Sequence, residues 1–286
     1  MKICVFSVDG RRRFGYIDGD RVLDFGADIP DDCGDVTMLL GEHSAGLKRF
    51  RDRVGLAQTA YALKDVQLHQ PSRRPQKYLA VGLNFRDHLR EAKAAGMKIP
   101  NVPVIFNKQV SCLTGPYDPI VLPVVSEQLD YEGEMVMVIG TRCKNVTKEE
   151  APRMIAGYMI GNDVSVRDWQ FASPTATMGK SFDTHGPIGP WLTTADEVGD
   201  PLGLEIRTWV NGELRQSGNT RDMIWNCFEL VEFISKVCTL EPGDLIATGT
   251  PSGIGFSRIP PQYLKEGDVV RIEIEKLGNI ENKVMS

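Results

Sequence analysis

Between Asp130 and Gln170 the chain runs Asp130-Tyr131-Glu132-Gly133-Glu134 straight into Met135-Val136-Met137-Val138-Ile139, an unbroken apolar run with β-branched members. Such a run reads as a strand buried on both faces. Strand side chains alternate, so Glu132 and Glu134 point the same way on the approach to it. Two neighbouring carboxylates entering a core repel each other and lose hydration unless a cation pairs them. A second short apolar strand, Tyr158 to Ile160, ends at another carboxylate, Asp163. Three carboxylates with no His or Cys among them suit a hard, oxygen-preferring ion such as Mg2+ or Mn2+. Taken alone, a Glu-x-Glu pair more often marks the solvent face of an edge strand, because charged side chains are mostly exposed.

The 286 residues, 42% hydrophobic and 25% charged, have the composition of a soluble globular protein able to bury a large core in one domain or two. A net charge of −5 gives no nucleic-acid footprint, and the one basic run, Arg11-Arg12-Arg13, reads as the solvated face of a hairpin. No apolar run approaches the ~18 residues that span a membrane. The stretch from Met1 to Gly10 has too short an apolar core for a signal peptide. Six cysteines are scattered without paired spacing, which argues against a zinc site or a disulfide framework and for a reducing cytoplasm.

Along the chain, Ile3 to Leu23 reads as a small β-meander with turns at Asp9-Gly10 and Asp18-Gly19-Asp20. From Val36 to Leu63 the spacing of Leu39, Leu40, Leu47, Phe50, Val54, Leu56 and Ala60 is helical. Pro71-Ser72-Arg73-Arg74-Pro75 reads as a linker. It divides a small α+β N-terminal domain, 1–72, from a larger domain, 73–286. A strand from Lys77 to Val81 leads to a helix with Asn84 as N-cap, Asp87 in its first turn and Gly96 as its stop. His88 and Glu91, three apart, share a face of that helix. Thr147 to Glu150 has the capping-box form for a short helix limited by Pro152. Asn211-Gly212 signals a hairpin, and Asp222 to Cys238 an amphipathic helix with Trp225, Phe228, Val231 and Ile234 on its core side. The glycine loop Gly249 to Gly255 lacks the Gly-Lys-Ser/Thr ending of a phosphate-binding loop and does not fit Gly-x-Gly-x-x-Gly.

Several motifs occur in order over roughly residues 75 to 286. They are Asn84-Phe85-x-x-His88-x-x-Glu91, Asp130-Tyr131-Glu132-x-Glu134, Asn162-Asp163-x-Ser165-x-Arg167-Asp168-x-Gln170, Gly179-Lys180-Ser181-Phe182-Asp183 and Thr248-Gly249-Thr250-Pro251-x-Gly253. Together they resemble the fumarylacetoacetate hydrolase family, with Phe85 in place of the usual Tyr. The resemblance implies a β-rich α+β fold, a mixed and mainly antiparallel sheet roll carrying the site. Glu132, Glu134 and Asp163 would hold Mg2+ or Mn2+, with Ca2+ able to substitute. His88 and Glu91 would cover the metal and act together on a water, and Lys180 would stabilise developing negative charge. Gln170 and Thr250 would orient the substrate, while Arg167 would fix the carboxylate ligands. Lys108, after the strand Val104 to Phe106, is either a substrate-side cation or a solvated charge. His185 reads as structural.

The implied enzyme is a metal-dependent hydrolase of a carbon–carbon bond in a β-dicarbonyl acid, of the acylpyruvate or fumarylpyruvate type, in aromatic-compound catabolism. Decarboxylation of an oxaloacetate-like acid, or tautomerisation of a 2-hydroxy-dienedioate, is the alternative that uses the same ligands. A non-enzymatic metal-binding member would have losses among Glu132, Glu134, Asp163 and Lys180, and all four are present. The expected partner is a small keto acid, with no nucleic acid and no membrane, and a homodimer is the family's usual state.

Overall fold

The computed structural model of the chain describes residues 1–24, 36–40, 45–54, 57, 59–94 and 101–286. The meander forms as read: β1 (Lys2–Val8), β2 (Arg11–Asp18) and β3 (Arg21–Asp24) pair antiparallel. The segment read as helical from Val36 to Leu63 splits into three pieces. A 3-10 turn covers Val36–Leu39, α1 spans Ala45–Arg53, and β4 (Thr59–Ala62) pairs with β3, which puts Ala60 on an exposed strand. The open edge of β3 offers hydrogen bonds that outweigh a thin helical spacing past Val54. Leu56 and Gly96 lie outside the described residues.

The remaining strands are β5 (Gln67–His69), β6 (Tyr78–Gly82), β7 (Val104–Asn107), β8 (Leu113–Thr114), β9 (Ile120–Val121), β10 (Leu129–Asp130), β11 (Gly133–Ile139) and β12 (Ile155–Asn162). After them come β13 (Ser165–Val166), β14 (Gly186–Thr194), β15 (Glu205–Val210), β16 (Glu213–Asn219), β17 (Leu245–Ala247), β18 (Val269–Ile274) and β19 (Gly278–Met285). Helices α2 (Arg86–Ala94), α3 (Arg167–Phe171), α4 (Ala195–Val198) and α5 (Cys227–Val237) lie between them.

A twelve-stranded mixed sheet follows the path β4-β3-β2-β1-β14-β12-β11-β17-β6-β7, with β5 on β1 and β8 on β14. A five-stranded sheet runs β16-β15-β18-β19-β9, and β10 with β13 forms a short ribbon. Most neighbours are antiparallel; β17–β6, β14–β8 and β19–β9 are parallel. Through β1 and β14 the N-terminal strands extend the same sheet that carries β11.

Strand β11 is buried along its whole length. Met135, Met137 and Ile139 pack with Ile206, Ile272 and Ile280 of the five-stranded sheet and with Val231 and Ile234 of α5. Val136 and Val138 face the other way, toward a cluster that includes Leu47 and Phe50 of α1. This is the two-sided cover that an unbroken apolar strand requires. The helix expected from Asp222 starts at Cys227, because Asn226 caps it: its Oδ1 accepts from the Phe228 and Glu229 amides, and Glu229 returns the bond to the Asn226 amide. The reciprocal Thr147–Glu150 bonds also form, but lead only into a 3-10 turn at Ala151–Met154. Among the described residues no helix is long and apolar enough to cross a membrane.

Asn84 is not an N-cap. Its buried amide instead clamps the approach to α2 against the end of β17 and the approach to α5. Nδ2 donates to the Thr248 carbonyl at 2.7 Å and to the Trp225 carbonyl at 2.9 Å, while Oδ1 accepts from the Trp225 amide at 2.9 Å. Replacing it by Ala strands these backbone groups, each worth ~1–3 kcal/mol when buried and unpaired. Asn84→Ala is expected to lower stability in urea unfolding by about 3 kcal/mol. A loss under about 1 kcal/mol would show that the clamp is dispensable.

Candidate metal centre and active site

The ladder between β11 and β12 delivers the carboxylates. Glu134 sits opposite Gly161, and the Asp163 amide donates to the Glu132 carbonyl at 2.9 Å, continuing the pairing just past β12. One oxygen each of Glu132, Glu134 and Asp163 lies within 4.8 Å of the other two, and all three residues are buried.

Three buried cations answer them. Lys180 Nζ donates to Glu132 Oε2 and to Asp163 Oδ2, both at 2.8 Å. Lys108 Nζ donates to Asp163 Oδ1 at 2.7 Å, to the His185 carbonyl at 3.0 Å, and to the Lys180 carbonyl. Its side chain is 0% exposed, so Lys108 faces neither substrate nor solvent; both sequence readings of it give way to a structural cation. Arg167 Nη1 donates to Glu132 Oε1 at 2.6 Å and Gln170 Oε1 at 2.8 Å, and Nε donates to Asp130 Oδ2 at 2.9 Å.

The two glutamates therefore differ. Burial raises the Glu132 carboxyl, but Lys180 and Arg167 outweigh it and hold the group down at about 2. No cation among the described residues is bonded to Glu134; its Oε2 accepts from the Gly249 amide at 2.8 Å. Burial first, then the neighbouring Asp163 and Glu132, push it well above the usual carboxylate range. In the metal-free fold these effects favour the protonated form of Glu134, and Lys108, Lys180 and Arg167 formally balance Asp130, Glu132 and Asp163. The all-oxygen donor set fits a hard divalent ion, whose charge would displace that proton.

A cavity of about 640 Å³ contains the open side of this cluster. Eight of the nine expected site residues line it; Asp163 lies behind, bonded to both lysines. A shallower groove of about 870 Å³ beside Asp20, Lys64 and Tyr117 gathers none of them. On α2, His88 Nδ1 is 3.2 Å from Glu91 Oε2, and Glu91 Oε1 accepts from the Gly253 amide at 3.2 Å. A carboxylate only accepts, so Nδ1 carries the proton and Nε2 keeps the lone pair. When protonated, His88 is also close enough to Glu132 to help hold its carboxyl down.

Thr250 Oγ1 donates to the Gly133 carbonyl at 2.9 Å and accepts from Gln216 Nε2 at 2.7 Å, while Gln216 Oε1 accepts from the Gly133 amide at 3.0 Å. Gly249, at φ 94°, has no room for a side chain, since a Cβ would lie 2.8 Å from Asn84 Cβ. The amide that holds Glu134 thus depends on glycine. Sequence reasoning gave Lys108 a substrate-side or solvated place rather than this one, and gave Asp130 and Gln216 no role of their own. Asp130, within the Asp-Tyr-Glu motif, also accepts from the Gly255 and Phe256 amides at 2.8 and 2.9 Å. Gln216 had no signal beyond its inward parity in β16.

A mixed-sheet roll with a buried acidic triad, a bridging lysine and a histidine-bearing helix at one cavity brings oxygen donors that could hold a metal ion to a space sized for a small molecule. The sequence matches the fumarylacetoacetate (FAA) hydrolase C-terminal family over residues 77–285, and the chain belongs to that family. It is 41% identical over 269 residues to the mitochondrial oxaloacetate tautomerase FAHD2B of Bos taurus, covering 93% of this chain and 85% of that protein. The fold matches the fumarylacetoacetate hydrolase of Exiguobacterium antarcticum with TM-score 0.84 and 36% identity, over 100% of this chain and 99% of that one. Maleylpyruvate hydrolase of Sphingobium sp. SYK-6, solved with manganese(II) and pyruvate, matches with TM-score 0.76 and 31% identity, over 100% and 99% of the two chains. The chain is therefore an enzyme-family member whose relatives include both tautomerases and hydrolases, and a related structure carries a divalent ion.

Glu134 and Glu132 should respond differently to amide substitution. The raised Glu134 contributes metal-free stability below the ordinary carboxylate range and loses it as pH climbs toward its raised value. Glu132 contributes above that range and loses it as pH falls toward about 2. Metal-free Glu134→Gln is therefore expected to fold as well as wild type near pH 5 and better at about pH 8, while binding Mn2+ at least ~100-fold more weakly. Glu132→Gln, which strands Lys180 and Arg167, should lose about 3–5 kcal/mol. Calorimetric Mn2+ titration in buffers of different ionisation enthalpy should register about one proton released per ion at neutral pH. No release would show that Glu134 is ionised before the ion arrives.

Proposed function

We propose that this chain is a divalent-metal-dependent tautomerase of a small 2-oxo acid of the oxaloacetate kind. The observation that carries the reading is a free imidazole nitrogen, set by Glu91, sharing one cavity with a fixed ammonium and a hard-ion triad. Enolisation needs those parts: a base for the carbon-bound proton and positive charge for the oxygen that becomes electron-rich. A divalent ion bound by Glu132, Glu134 and Asp163 would supply a Lewis-acidic charge for the substrate's carboxylate and adjacent carbonyl oxygen.

The residues of the chain do the rest. His88 Nε2 takes the proton from C3, the released pair forms the C2–C3 double bond, and the C2 oxygen gains a proton; the reverse path ketonises the enol. Lys180 adds a fixed positive charge near the C2 oxygen. Gln170 and Thr250 orient the substrate carboxylate, and Arg167 keeps Glu132 in place. Phe106, Phe171 and Phe256 on the cavity wall limit water.

Hydrolysis of an acylpyruvate carbon–carbon bond is the second reading. The same His88 nitrogen can deprotonate a water, and two of the matched structures are hydrolases. Tautomerisation is placed first because several relatives at 39 to 41% identity bear that specific name, while relatives of equal identity from Burkholderia carry only the general name of putative hydrolase and the two solved hydrolases are 36% and 31% identical. The test follows ketonisation of enol-oxaloacetate by its ultraviolet absorbance with Mg2+ or Mn2+, beside cleavage of an acylpyruvate. A higher kcat/KM for oxaloacetate is expected, and a higher one for acylpyruvate cleavage puts hydrolysis first. His88→Ala should lower kcat for the better substrate by roughly 100-fold with unchanged Mn2+ affinity. A wild-type rate in that variant removes His88 from proton transfer.

A further inference from the structure

We propose that Gln216 is a positioning residue for the metal ligands, holding the backbone between Glu132 and Glu134 and locking it to the glycine loop; this rests on the reading of the acidic triad as a divalent-metal site. The two glutamates are joined through Gly133, a residue with little conformational restraint of its own. Nothing larger fits there, because Thr208 Oγ1 occupies the place of a Cβ. The two peptide units that leave Glu132 and enter Glu134 must therefore be fixed from outside.

On one side β12 does this: Gly133 lies opposite Asn162, and the Asp163 amide donates to the Glu132 carbonyl at 2.9 Å. On the other side the ladder with β17 ends at Val136, and the next bond runs from the Thr248 amide to the Met135 carbonyl at 3.0 Å. Beyond it the N–H and C=O of Gly133 have no strand partner on that side, and buried backbone groups need other partners. Gln216 and Thr250 take the place of the missing strand. Gln216 Oε1 accepts from the Gly133 amide at 3.0 Å, and Thr250 Oγ1 donates to the Gly133 carbonyl at 2.9 Å. Gln216 Nε2 in turn donates to Thr250 Oγ1 at 2.7 Å and to the Pro251 carbonyl at 2.8 Å. Only an amide in this orientation fits. Turned about, its oxygen would face the Pro251 carbonyl and its NH2 the Gly133 N–H. Both of its N–H donors are used, the residue is 1% exposed, and it lies behind Thr250 rather than on the cavity wall, so Gln216 has no group left for a substrate.

The strand that carries Gln216 is shaped for this contact. β16 is the terminal strand of the five-stranded sheet, and Thr208 pairs with Gln216 while Trp209 pairs with Leu214, so Arg215 is the extra residue of a bulge. Gln216 is the only buried residue of β16. On either side of it the strand rests against the loop: a Cβ on Gly218 would collide with the Pro251 ring, and one on Gly253 with the Arg215 carbonyl. The same loop holds Glu134 through the Gly249 amide and Glu91 through the Gly253 amide. Gln216 thus sets the metal ligands and the carboxylate that orients His88 on one frame.

The test reads metal affinity, by following free Mn2+ in electron paramagnetic resonance titrations of the metal-free protein. Gln216→Met keeps the length of the side chain but removes all three hydrogen bonds, and it is expected to weaken Mn2+ binding by roughly 10-fold or more, as for other groups that orient metal ligands. Gln216→Asn, one methylene too short to reach both Gly133 and Pro251, should move the same way and decides the matter where the Met variant does not fold. Thr250→Val should also weaken binding. Because the two side chains act as a unit, the double variant should lose clearly less than the product of the single losses. Val22→Ala, a truncation in the separate core of the N-terminal meander, should lower stability and keep wild-type affinity. Thermal unfolding checks the fold of each variant. Wild-type affinity in a folded Gln216 variant, a double loss equal to the product, or an equal loss in Val22→Ala overturns the assignment. If wild type binds no Mn2+, the metal reading fails and this one with it. The expected losses in an enzyme that does not ketonise oxaloacetate would leave the positioning role standing and defeat only the tautomerase reading.

Discussion

Lys180 bridging Glu132 and Asp163 is the contact on which the rest of the site depends. Two strands can end in facing carboxylates inside a core only if something neutralises them before any ligand arrives. Lys180 and Lys108 do this for Asp163, and Lys180 and Arg167 do it for Glu132. Among the described residues Glu134 bonds only a backbone amide, which leaves it as the group that would respond to an ion. The order is economical: two carboxylates are locked by side chains, and the third stays available. The same locks carry structure outward, since Arg167 reaches Asp130 and Asp130 sets the turn after the glycine loop.

Much of this was legible because it was local. The apolar run Met135 to Ile139 and the alternation of Glu132 and Glu134 follow from strand geometry, and both survive in β11 and its approach. The motif residues His88, Glu91, Lys180, Gln170 and Thr250 converge on one cavity, although they come from segments far apart in sequence. What escaped notice is what tertiary packing decides. Lys108 looks like any lysine after a strand until Asp163 and two carbonyls enclose it. Asn84 has the chemistry of a helix cap, yet its amide is used up by backbone 141 and 164 residues away. The Val36 to Leu63 segment failed as one helix because the edge of β3, invisible to periodicity, claims Thr59–Ala62.

The two chemistries considered for the site differ by a small displacement. A base that removes a proton from carbon tautomerises; the same base removing it from a water beside the far carbonyl hydrolyses. Everything that binds the common 2-oxo-acid end is shared, so divergence among relatives with such similar folds falls to the distal half of the cavity and to the placement of the α2 helix. That helix is not independent of the glycine loop at the cavity, because Glu91 orients His88 with one oxygen and accepts from the Gly253 amide with the other.

The pairing of β1 with β14 bears on how the chain is made. Lys2 and Ile3 lie opposite Thr193 and Leu192, so β1 meets this partner only after all the residues between Ile3 and Leu192 have been made. Until then the β1–β2–β3 meander can form from its own short turns, while the apolar residues of β1 that belong to the central sheet stay uncovered. Sheets closed by such distant contacts assemble slowly, and the waiting edge is a natural target for chaperones and for mispairing with another nascent chain. Strand β1 thus waits long for the partner that locks it in place.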